Sequence, residues 1–139
     1  MEEAGVVAIG VGVDADSSTK EIALAEQHPF LYATVGLHPI DNLEEEFDEA
    51  RYRALASHPK VVAIGECGLD FYRREKTTEE FHRQMKRFLP QLELAVSLDK
   101  PLMIHCRDPL RRREGRSAPV RELRDAVAAQ VGGPHGEVD

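Results

Sequence analysis

Two ionisable side chains, Glu66 and His105, each follow a short apolar run of the sequence. A carboxylate and an imidazole on neighbouring strands give a mixed oxygen and nitrogen donor set that suits Zn²⁺, Mn²⁺ or a comparable divalent ion. A catalytic metal needs about three protein ligands, so these two residues do not complete a site. Each also has an ordinary structural explanation. Glu66 could form an ion pair with Arg107, and His105 could be a hydrogen-bonded core histidine.

Two further side chains, His38 and Arg107, could contact a phosphate group. His38, in the sequence GLHP, could donate to a phosphate oxygen, or it could be a turn residue fixed by Pro39. Arg107 lies two residues after His105 and therefore points to the same side of its strand, where it could pair with two phosphate oxygens. Arg73 begins a small basic cluster in the third connection.

Alternating secondary structure elements must position these side chains. Apolar runs at residues 6–13, 30–37, 61–65 and 100–105 predict four strands, with a loop after residue 65. Helices are predicted between them, and the expected starts are Ser18-x-x-Glu21, Asn42, Thr77-x-x-Glu80 and residue 119, the last helix ending at residue 130. Pro90 removes one amide hydrogen bond from the third helix, so we expect a kink there.

This β-α alternation predicts an α/β fold with parallel strands and right-handed crossovers. Parallel α/β folds place their chemistry beyond the carboxyl ends of the strands. The ionisable residues at these ends are Asp14, His38, Glu66 with Asp70, and His105 with Arg107 and Asp108. The sequence therefore predicts a functional site at one rim of the sheet.

Composition indicates a globular protein of one domain. The chain has 139 residues, 42% of them hydrophobic, and a net charge of −7, so it has no overall attraction to nucleic acid or anionic membranes. Any phosphate site must be a local cationic feature. The two cysteines lack CxxC spacing, and no apolar stretch approaches the roughly 20 residues that span a bilayer. We expect a cytoplasmic protein with no membrane association, and no stable protein partner is evident.

Three sequence blocks resemble the signatures of the TatD-like family of metal-dependent hydrolases (the TatD DNase family). The blocks are VGLHPID (35–41), AIGECGLDFYR (63–73) and PLMIHCRD (101–108). The helix between the last two, with Phe81, Gln84 and QLELA (91–95), is also similar. The resemblance implies a TIM-type (β/α)₈ barrel and a site with one or two divalent metal ions, Mg²⁺, Mn²⁺ or Zn²⁺. It also implies hydrolysis of phosphodiester bonds, often in DNA.

The resemblance further implies roles for individual residues. Glu66 would be a catalytic carboxylate and metal ligand, able to bridge two ions, and His105 a catalytic histidine and metal ligand. His38 would lie near the substrate phosphate. Arg107 and Arg73 are looser matches and would contact the phosphate. In such a site the metal activates water and stabilises charge on the phosphate.

The sequence also departs from the family. The family's opening His-x-His pair, a later strand-end histidine and an aspartate in a T-D-x-P context have no counterpart in this sequence. A complete barrel typically needs about 250 residues. We therefore expect residues 1–139 to form a single partial barrel domain of about four βα units, lacking the first strand and the last three units. With only two ligands, the chain alone is expected to be inactive.

Three functions stay open from the sequence. The first is a metal-dependent nuclease that acts on DNA or another phosphodiester, with this chain as an incomplete portion. The second is a catalytically inactive fragment that serves as a binding or assembly module. The third is a related amidohydrolase that acts on C–N bonds.

Overall fold

The computed structural model describes residues 5–107 and 125 of the chain. Within them the elements are β1 (Ala8–Val11), α1 (Ala15–Glu26), β2 (Leu31–Val35), α2 (Glu49–Ala56), β3 (Val61–Asp70), α3 (Thr78–Ser97) and β4 (Leu102–Arg107). The strands form one parallel sheet in the order β1-β2-β3-β4. Parallel strands that are neighbours in both sequence and space, each joined by a helix, form part of a TIM-type (β/α)₈ barrel, as predicted. Of the helix predicted over 119–130, the structure describes only residue 125.

β3 is longer than predicted, because the segment after residue 65 is a strand and not a loop. Two of its glycines, Gly65 and Gly68, have φ angles of 139° and 136°, which are rare for residues with a side chain. A Cβ on Gly68 would lie 2.2 Å from the His105 carbonyl oxygen, so only glycine lets β4 approach this closely. The register shifts between Ile64 and Cys67, and pairing with β4 then continues to the end of β3.

α1 begins earlier than the predicted Ser18-x-x-Glu21 box. Asp14 is the N-cap, and its side chain accepts a hydrogen bond of 2.7 Å from the backbone N–H of Ser17. The Ser17 hydroxyl oxygen in turn accepts from the Asp14 N–H at 3.0 Å. Ser18 is fully buried one residue later, so its side chain is used inside the fold and not as a cap.

α2 begins later than the predicted start at Asn42. Asn42 has a φ of 41°, in the left-handed region, and the N-cap is Asp48, whose side chain accepts from the Arg51 N–H. The N-cap predicted for α3 is confirmed, because the Thr77 hydroxyl oxygen accepts from the Glu80 N–H at 3.2 Å.

α3 is the longest helix, with 20 residues, and it continues through Pro90. The kink predicted at that residue stays a prediction. α3 packs on the outside of β3 through Phe81, Phe88 and Leu92, which are all buried. A second core cluster lies between α1, α2 and β2. Among residues 5–107 and 125, no helix combines the length and the apolar composition that crossing a membrane requires.

Candidate metal centre at the carboxyl ends of the strands

His105 lies between two carboxylates. Its Nδ1 atom is 2.9 Å from Glu66 Oε1, and its Nε2 atom is 2.8 Å from Asp70 Oδ2. The structure thus brings Glu66 and His105 together, as the sequence predicts. Two carboxylates converge on one imidazole, and a divalent cation could balance their negative charge.

The strand geometry explains why these side chains meet. Glu66 and Asp70 are four residues apart on β3, and even spacings place side chains on the same face of a strand. Gly68 pairs with His105 and Asp70 pairs with Arg107, so the His105 and Arg107 side chains project from this same face of the sheet. The Glu66 N–H also donates to the Gly12 carbonyl oxygen at 2.9 Å, which ties the site to the end of β1.

Asp70 is fully buried and accepts hydrogen bonds at both oxygens. Oδ2 accepts from Arg107 Nε at 2.9 Å and lies 2.8 Å from Arg107 Nη2 in an ion pair, and Oδ1 accepts from the Tyr72 N–H at 2.8 Å. Burial of Asp70 opposes its ionisation, but the hydrogen bonds from Arg107, Tyr72 and His105 lower its pKa overall. Asp70 is therefore negatively charged at neutral pH and is a candidate metal ligand.

His38 follows β2 and contacts the same group. Its ring centroid is 4.4 Å from that of His105, with an interplanar angle of 65°. Its Nδ1 atom lies 3.2 Å from Asp41 Oδ2. Burial lowers the pKa of His38, although the Asp41 carboxylate opposes this effect. The ring is therefore neutral at pH 7, the form that offers a lone pair to a metal ion.

These residues fit a metal ion by the chemistry of their donor atoms. His38, Asp70 and His105 each offer one donor atom, and the three atoms lie within 4.8 Å of one another. Glu66 adds a carboxylate oxygen next to His105. Two imidazoles with two carboxylates form a donor set that suits Zn²⁺ or Mn²⁺.

The two predicted phosphate-binding arginines lie around one exposed aromatic ring. The guanidinium carbon of Arg107 is 4.6 Å from the Tyr72 ring centroid, and that of Arg73 is 5.0 Å from it. Tyr72 is 43% exposed. Arg107 pairs with Asp70, so the alternative of an ion pair between Arg107 and Glu66 is wrong. Phosphate contact by either arginine stays a prediction.

Comparison with known proteins decides the family. The sequence profile described as TatD related DNase matches residues 1–130. The chain belongs to the TatD related DNase family. It is similar to proteins named 3'-5' ssDNA/RNA exonuclease TatD. The protein from Cronobacter turicensis is 44% identical over 98 residues, which is 70% of this chain and 36% of that protein. The one from Yersinia pseudotuberculosis is 42% identical over 110 residues, 77% of this chain and 41% of that protein. The chain thus spans 36–41% of the length of these relatives.

In this TatD family member Asp70 is a candidate metal ligand, although the sequence predicts it only as a strand-end residue. The spacing of four residues between Glu66 and Asp70 indicates that their side chains share a face only if both residues lie on one strand. Asp70 and His38 join Glu66 and His105 as candidate donors, so more than two side chains could hold an ion. The expected inactivity of the chain alone stays a prediction.

Asp14, at the end of β1, has a structural role instead. Its carboxylate caps α1 through Ser17 and also accepts from the Asn42 side-chain amide at 3.2 Å. These hydrogen bonds, chiefly those with Ser17, lower the pKa of Asp14 below its ordinary value. Asp108, the last residue of the predicted rim, lies outside the described residues.

Proposed function

We propose that this chain carries the metal centre of a nuclease that hydrolyses phosphodiester bonds in single-stranded DNA or RNA. The supporting observation is the convergence of His38, Glu66, Asp70 and His105 at one end of the sheet, in a member of the TatD related DNase family. The substrate follows from the names of the relatives, which are 3'-5' ssDNA/RNA exonucleases.

In this proposal the four clustered residues hold one or two divalent ions. Imidazole donors favour Zn²⁺ or Mn²⁺, whereas Mg²⁺ prefers oxygen ligands and is the third candidate. A bound ion of this kind makes water a better nucleophile and stabilises charge on the phosphate. Glu66 and His105 are the proposed catalytic ligands.

The surrounding residues bind the substrate and orient the ligands. Arg107 holds the Asp70 carboxylate in place, and its half-exposed guanidinium is available for a phosphate oxygen. Arg73 and His38 are the other proposed phosphate contacts. The Tyr72 ring lies next to both arginines and is 43% exposed, so a base could stack on its free surface.

We also propose that residues 1–139 belong to a single (β/α) barrel domain. The parallel order of the four described strands supports one continuous sheet. A cytoplasmic location agrees with Cys67 and Cys106, which are both free thiols.

The test measures hydrolysis of labelled single-stranded DNA and RNA by the purified protein with Mg²⁺, Mn²⁺ or Zn²⁺, and with EDTA. We expect shortening of the oligonucleotide that EDTA abolishes. Glu66→Gln should lose this activity, whereas Glu93→Gln, on the exposed side of α3, should keep it.

Other outcomes contradict the proposal. Metal binding without hydrolysis of any substrate would indicate a binding module. EDTA-sensitive hydrolysis of a cyclic amide, with no cleavage of nucleic acid, would indicate an amidohydrolase. Full nuclease activity in Glu66→Gln would remove that residue from the site.

A further inference from the structure

α3 carries three buried polar side chains on one face. Gln84, Arg87 and Gln91 are 0%, 8% and 0% exposed, and their spacing of three and four residues places them along one side of the helix. Buried polar groups are costly unless they form hydrogen bonds, so their partners show what they are for. Gln84 and the segment that contains Gln91 belong to the helix that resembles the family, yet the proposed chemistry uses neither of them.

The two glutamines hold backbone groups at the ends of two neighbouring strands. The Gln84 side chain accepts from the Asp70 N–H and donates to the Asp70 carbonyl oxygen, both at 2.7 Å. The Gln91 side chain makes the same pair of bonds with Leu37, the residue before His38, at 2.8 and 2.9 Å. Each glutamine side chain thus accepts one hydrogen bond from a backbone residue and donates one to it, as an adjacent strand would.

Arg87 lies between the two glutamines and holds the loop that follows β2. Its guanidinium donates to four backbone carbonyl oxygens at 2.7–2.9 Å. The acceptors belong to His38, Asp41, Asn42 and Glu45. One side chain therefore fixes His38 and the seven residues after it.

We propose that Gln84, Arg87 and Gln91 are positioning residues that set His38 against Asp70 and His105. Gln84 and Gln91 are two helical turns apart, about 10.5 Å along one helix, so the residues they hold are tied to a single element. Ligand geometry needs about 0.5 Å of accuracy, which packing and supporting hydrogen bonds provide together. The proposal rests on the metal site proposed above.

The test uses Gln84→Met and Gln91→Met, which keep the side-chain volume but remove both hydrogen bonds to the strand. Leu94→Ala is the control, because Leu94 is buried on α3 in the cluster that contains Val35 and Ile64, and it destabilises the helix without touching these backbone groups. Zn²⁺ affinity is measured by calorimetry at a temperature at which all variants are folded. The contact between the His38 and His105 rings is measured by NMR without metal.

We expect both methionine variants to bind Zn²⁺ about 10- to 100-fold more weakly than the wild type. Their cross-relaxation between the two histidine rings should also weaken, whereas Leu94→Ala should keep the wild-type value of both quantities. If Gln84→Met does not fold, Gln91→Met carries the test, because it loses the equivalent pair of hydrogen bonds to Leu37.

Wild-type affinity and ring contact in the glutamine variants would overturn the proposal. Equal losses in Leu94→Ala would also overturn it, since they would show a general effect of packing. If the wild-type protein does not bind Zn²⁺, the proposed metal site fails, and the ring contact alone then decides whether these residues position His38.

Discussion

Replacing Asp70 with asparagine is the sharpest perturbation of the centre, because it removes a negative charge and keeps the shape. The two carboxylate oxygens of Asp70 accept from Arg107 and from the Tyr72 N–H. Asparagine offers only one oxygen, so its NH₂ group must face at least one of these donors. We expect Asp70→Asn to lower the free energy of unfolding by about 1–3 kcal/mol in the absence of metal.

Asp70→Asn should also weaken metal binding, and this effect appears as a smaller stabilisation of the folded state by Zn²⁺. A ligand present at 100 times its Kd stabilises the folded state by about 2.7 kcal/mol. If Asp70→Asn weakens Zn²⁺ binding by about 10- to 100-fold, the same concentration stabilises the variant by only about 1.4 to 0.4 kcal/mol. At roughly 3 °C per kcal/mol, the rise in Tm falls from about 8 °C to about 1–4 °C.

Thermal unfolding with and without Zn²⁺ checks this prediction. Asp48→Asn is the matched control, because Asp48 caps α2 outside the centre and asparagine caps helices equally well. The control should keep the full Zn²⁺-dependent rise in Tm. A full rise in Asp70→Asn as well would show that Asp70 is not a ligand.

Three further predictions concern the neighbourhood of the centre and the wider fold. Tyr72→Ala should weaken binding of single-stranded DNA by about 1–3 kcal/mol in fluorescence anisotropy, and equal weakening in Tyr72→Phe, which keeps the ring, would contradict stacking. Asp14→Ala should cost about 1 kcal/mol in urea unfolding at pH 7. Because the pKa of Asp14 is lowered in the folded state, this contribution exists above its unfolded pKa of about 3.9 and should disappear as the pH falls through the folded pKa; an unchanged cost at pH 2 would refute it. Burial raises the pKa of Cys67 to about 12, so iodoacetamide should modify the exposed Cys106 in the native protein and Cys67 only after unfolding, as mass spectrometry would show.

The sheet and the contact between Glu66 and His105 could be predicted from the sequence because both depend on simple patterns. Apolar runs locate the strands, and the rule that parallel strands end at one rim brings their last residues together. The place of Asp70 in the group could not be predicted from these patterns. The segment after residue 65 is predicted as a loop, whereas in the structure it continues β3, and the missing side chain of Gly68 lets β4 approach closely.

The start of α2 could not be predicted, because a distant residue controls it. Asn42 is a strong local signal for a helix start. In the structure its carbonyl accepts from Arg87, which is 45 residues away, and its backbone takes a left-handed conformation. No short window of sequence contains that contact.

The hydrogen bonds between α3 and the strand ends have an evolutionary consequence. Gln84 and Gln91 bond to the N–H and C=O groups of Asp70 and Leu37, which every amino acid except proline possesses. The side chains at and beside these positions can therefore change without loosening the frame that carries them. Such a frame lets a lineage, or a protein engineer, exchange one metal preference for another while the helix and its three polar residues stay as they are.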